Sequence, residues 1–87
     1  MTLTDIKDYV HSEINSINET LEFDVEHEGT EYHVYLELYC DVWNDEKHDV
    51  QVVSVIRVIQ CGVFANDSNE NITWMEEKIS EIVEQIK

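Results

Sequence analysis

The stretch "LEFDVEHEGTEYHVYLEL", residues 21–38, alternates apolar and polar side chains on both sides of a single glycine. Leu21, Phe23 and Val25 interleave with Glu22, Asp24, Glu26 and Glu28. A period of two is the mark of a strand with one face buried. Gly29 supplies the positive φ that a tight hairpin turn wants. The pattern predicts a β-hairpin, with a first strand over about 20–28 and a second from Glu31 to Trp43. On the second strand Val34, Leu36, Leu38, Cys40 and Val42 point one way, toward a core. His33, Tyr35, Glu37, Tyr39, Asp41 and Trp43 point the other way.

Working outward, "NDEKHD" (44–49) is polar and turn-rich and reads as a second hairpin loop. A third strand follows over roughly 50–62 and is apolar on both faces. With Tyr35 set opposite Arg57, Val50, Val52, Ile56 and Val58 join the core, and Val53, Val55 and Ile59 fall on the far face. "ANDSNEN" (65–71) reads as a loop ending in N-cap residues. Before the hairpin, Leu3, Ile6, Val10, Ile14 and Ile17 form one helical stripe over residues 2–18, with a capping box in Thr2 and Asp5. After it, Ile72, Met75, Ile79, Ile82, Val83 and Ile86 form another over 70–86, with Glu76, Glu77, Glu81 and Glu84 opposite. The expected fold is therefore α+β, a two-layer α-β-β-β-α arrangement. A three-stranded antiparallel meander carries an N-terminal and a C-terminal helix on one face. At 87 residues the chain is expected to form one domain, 1–87, with a modest core.

The charge is the unusual property. Twenty acids against five bases give −15. Such a field repels nucleic acid and anionic membranes and attracts basic surfaces. The expected partner is thus a basic protein, with no direct nucleic acid and no membrane. The opening residues have no basic segment followed by an apolar one, so no secretion signal is read and a cytoplasmic setting with reduced thiols is expected.

No catalytic constellation emerges. His11, His27, His33, His48, Cys40 and Cys61 show no CxxC, HxxxH or HExxH spacing, so no metal or other cofactor is expected. "DVWNDEKHD" lacks the central glycine and the final glutamate of a calcium loop. Ser54 has no histidine near it in the chain to activate it, and no glycine-rich phosphate loop occurs. The expectation is a protein that is not an enzyme.

What remains is the outward face of the hairpin. It carries Glu22, Asp24, Glu26, Glu28, Glu37 and Asp41 with Tyr35, Tyr39 and Trp43. Alternate residues on a strand lie about 7 Å apart, comparable to successive phosphates on a nucleic-acid strand. Aromatic anchors beside a charged field have the makings of an interface. In size, charge and layout the chain resembles the small acidic inhibitors encoded by phages and mobile elements. These include DNA-mimicking anti-restriction proteins, the uracil-DNA glycosylase inhibitor and several anti-CRISPR proteins. That resemblance implies a protein that blocks a basic nucleic-acid-binding site on a host enzyme. The helix–three-strand order is also similar to the opening half of the acidic type III secretion chaperones. That second resemblance implies a dimer that binds extended segments of other proteins. With the outward aromatics and a third strand apolar on both faces, which suit self-association, it gives the alternative, a structural or chaperone-like homodimer whose acidity serves solubility.

Overall fold

The computed structural model describes residues 1–66, 68 and 70–86 of the chain. A short 3₁₀ turn, Leu3–Asp5, leads into α1, Ile6–Glu13. Then come β1 (Asn18–His27), β2 (Thr30–Asp45), β3 (Val50–Ala65) and α2 (Thr73–Val83). The strands form one antiparallel sheet in the order β1-β2-β3. The α-β-β-β-α order read from the periodicities is the one the chain adopts. Of the 65–71 loop, Asp67 and Asn69 lie outside the described residues.

The N-terminal stripe is shorter than its apolar spacing predicts. Thr2 and Asp5 do form the capping pair: the Thr2 main-chain N–H donates to Asp5 Oδ2 at 2.9 Å. Ile6, Val10 and Ile14 are buried, but Ile14 is already extended and Ile17 is exposed. The helix stops because Asn15, Ser16 and Asn18 offer side chains that compete with helical hydrogen bonds. Ser16 Oγ donates to the Asn18 carbonyl at 2.8 Å, turning the chain into β1 two residues earlier than expected.

At the first hairpin Glu28 (φ 52°) and Gly29 (φ 79°) are both left-handed. With His27 paired to Thr30, this is the two-residue primed turn whose twist matches the flanking strands. Glu28 therefore belongs to the turn and not to the strand.

One sheet face carries all of the buried apolar strand residues: Phe23, Val25, Val34, Leu36, Leu38, Cys40, Val53, Val55 and Val63. The helices cover that face with Ile6, Val10, Met75, Ile79 and Val83, and Ile86 closes one end. Tyr9 meets Phe23 edge-on, ring centres 5.1 Å apart. Burying α2's stripe this way accounts for its place, since propensity alone holds a helix this short only weakly.

The third strand departs from its expected register. Tyr35 lies opposite Gly62, and Arg57 lies opposite Tyr39. Val53 and Val55 are in the core, whereas Val50 and Ile56 are exposed and Val52 faces outward beside Trp43. Two irregularities explain this. Ile59 and Ile56 are extra residues between Glu37/Leu38 and Tyr39/Cys40, and each reverses the inside–outside alternation of β3. The inward positions run Val53, Val55, Val58, Cys61, Val63, at steps of two, three, three and two. Val58 alone of the four residues expected in the core packs against it.

β1 pairs with β2 only as far as Tyr39. Beyond that point β2 and β3 continue as a two-stranded arm, from Cys40 opposite Val55 to Asp45 opposite Val50. The arm helps to make the molecule 48 Å long against 22 and 17 Å across.

Candidate functional site: the helix-free face of the sheet

The face away from the helices is built by alternation. β1 contributes Asn18, Thr20, Glu22, Asp24 and Glu26. β2 contributes Glu31, His33, Tyr35, Glu37, Tyr39, Asp41 and Trp43. Opposite them β3 places Phe64, Gly62, Gln60, Arg57, Ser54 and Val52. Eight of the nine residues singled out in the sequence share this face. The exception is Glu28, which the turn removes from the row. Val53 and Val55, expected here, are in the core, and Val52 and Phe64 take the apolar places beside the aromatics. Ile59 lies at a β3 bulge and lines the groove between β3 and α2.

The surface divides into two zones. Glu22, Asp24, Glu26, Glu31, Tyr35, Glu37 and Tyr39 lie on the three-stranded platform, while Asp41 and Trp43 ride on the arm. Tyr39 is 40% exposed and Trp43 49% exposed. Tyr35 is half-buried and shares its neighbourhood with Phe64. A Cβ at Gly62 would lie 3.4 Å from the Phe64 ring, an ordinary van der Waals contact.

The acids are almost uncompensated. Glu26 stands directly across from Glu31, a like-charge cross-strand pair that disfavours the sheet. Among the described residues, every ion pair within 4 Å uses a histidine as its cation. On this face that histidine is His33. Its Nδ1 lies 2.9 Å from Asp24 Oδ1 and its Nε2 3.3 Å from Glu22 Oε2. The hydrogen bond to Asp24 raises the imidazole pKa above its ordinary value; desolvation opposes it, and Glu22 adds to the rise. Glu31 and His33 escaped the sequence reading as site residues. The alternation placed His33 outward, but only the register brings it between two acids nine and eleven residues away.

Elsewhere the chemistry is sparse. Among the described residues no three His, Cys, Asp or Glu side chains group closely enough to hold a metal ion. Cys40 and Cys61 are free thiols on the core face, and burial pushes both upward, away from thiolate. The groove between β3 and α2, lined by Ile59, Cys61, Glu77, Ser80 and Glu81, is open and shallow. Glu76 turns inward instead of facing solvent, accepting from the Val63 N–H at 3.3 Å and from Asn71 Nδ2 at 2.7 Å. No described helix is long and apolar enough to cross a membrane. Comparison with known protein families, curated proteins and solved structures returns no match in any of the three.

Proposed function

We propose that the chain is a non-enzymatic protein inhibitor of the DNA-mimic kind, acting in the cytoplasm of a bacterial host. It docks its acidic sheet face on the basic nucleic-acid-binding site of a defence or DNA-processing enzyme. Glu22, Asp24, Glu26, Glu31, Glu37 and Asp41 stand in for phosphates, and Tyr35, Tyr39 and Trp43 supply desolvated anchors. One observation carries the reading: a sheet face free of helices, whose carboxylates make no lysine or arginine ion pair among the described residues. Uncompensated like charges lower stability, and a basic partner would relieve that repulsion on binding.

The test is an affinity capture on the tagged protein, eluted with a salt gradient, followed by an activity assay of the captured enzyme. A basic nucleic-acid enzyme that leaves only at high salt and is inhibited supports the reading. The double variant Asp24→Lys/Glu26→Lys should lose this binding while its circular dichroism spectrum stays unchanged. Retained binding by a folded double variant would remove the face from consideration.

The homodimer reading draws on the exposed apolar residues Val50, Ile56 and Ile59, each about half exposed, on and beside the arm. Sedimentation separates the two readings. A dimer joined through those residues persists at high salt, whereas contacts through the acidic face weaken as charges are screened.

A further inference from the structure

The two edges of the sheet are finished differently. On the β3 side, the Val55 N–H donates to the Ile86 carbonyl, and the Val63 carbonyl accepts from Ile72. The Val63 N–H is taken by Glu76, and the two bulges roughen the strand between these points. Such devices keep a sheet edge from pairing with another chain. β1 has fewer of them. It runs ten residues without a bulge or a proline. Among the described residues its outer edge makes one main-chain bond to another element, from the Glu26 N–H to the Met1 carbonyl at 2.8 Å.

That bond also sets which residues face outward. If the Glu26 N–H points away from β2, antiparallel alternation turns the main chain of Asp24, Glu22 and Thr20 the same way. The turn agrees, because His27 and Thr30 close the two-residue hairpin and their neighbours Glu26 and Glu31 form the wide pair. Glu22 and Asp24 thus each present a main-chain donor and acceptor sideways and a carboxylate on the outer face.

We infer that the β1 edge, over Thr20–Asp24, takes up an extended basic segment of a partner protein as a fourth strand. The inference rests on the acidic-face reading above and specifies the element the partner supplies. In an added antiparallel strand, the residue opposite Glu22 or Asp24 turns its main chain to β1 and its side chain to the acidic face. A lysine or arginine at every second position then keeps step with the carboxylates. His33 already shows the fit from the other side, where a basic side chain of the neighbouring strand seats against both acids at 2.9 and 3.3 Å. A second copy of this chain is a poor occupant, because pairing two β1 edges sets carboxylate against carboxylate.

The test uses a short peptide alternating lysine and threonine, and the same peptide N-methylated at its lysines. The second keeps the charge and loses the donors that would reach β1. The expected result is that the parent peptide slows amide exchange at Thr20, Glu22 and Asp24, measured by NMR, and that N-methylation weakens binding about tenfold or more. Equal binding of both peptides with no protection of those amides overturns strand addition and leaves the acidic face as a purely electrostatic surface. Absence of binding by either peptide at low salt overturns both.

Discussion

At the residue scale, His33 sets the electrostatics of the face. Its pKa is higher folded than unfolded, where it would lie near 6.5. The stability it adds is therefore fully present below about pH 6.5 and is lost as pH rises through the folded value. Denaturation of the wild type should show stability falling as pH rises above about 6.5, and His33→Ala should flatten that fall. The effect is modest, because the ring is 42% exposed and water screens it. Binding runs the opposite way. A basic partner competes with the imidazolium for Glu22 and Asp24, so affinity should rise as His33 loses its proton. An affinity independent of pH across that window would mean that these two carboxylates are not in the contact. The acids themselves were legible from their spacing. Their engagement with His33 was not, since it depends on which residues the hairpin register sets side by side.

At the element scale, β2 was readable and β3 was not, for one reason. A clean period of two has a single solution, and Val34, Leu36, Leu38 and Cys40 are buried as the alternation requires. β3 offers apolar side chains at seven of the ten positions from Val50 to Ile59, in no period of two, so alternation cannot choose a face. The bulges at Ile56 and Ile59 then change the phase twice. The two assignments make opposite predictions for neighbouring residues. Val55→Ala should destabilise by about 2 kcal/mol through lost burial and a residual cavity. Ile56→Ala, at a residue 56% exposed, should stay within about 0.5 kcal/mol. Urea unfolding of the two variants checks the register directly, and a larger loss for Ile56→Ala would restore the register expected from the sequence. The early end of α1 has a similar origin. Ile17 fits the apolar stripe by spacing, but Ser16 bonds locally and takes the chain out of the helix.

At the scale of the whole molecule, a charge of −15 spread over a surface with no lysine–carboxylate or arginine–carboxylate ion pair among the described residues should oppose folding. Added salt should therefore raise the urea midpoint of the free protein while it weakens any complex made through the acidic face. A midpoint insensitive to salt would show that the carboxylates lie too far apart to strain the fold.

The two-stranded arm adds a kinetic consequence. Beyond the root pair Cys40 and Val55, which are tied to Ile17 and Ile86, the ladder has no third strand beneath it, and ribbons of two strands are marginal in water. Arm and platform should thus open as separate cooperative units. The amides of Val42–Asn44 should exchange through brief local fraying, while those of Val34–Leu38 wait for global unfolding. A partner that grips Trp43 would then have to still a fluctuating lever before it gains from the contact, so its association should be slower than the charge alone would allow.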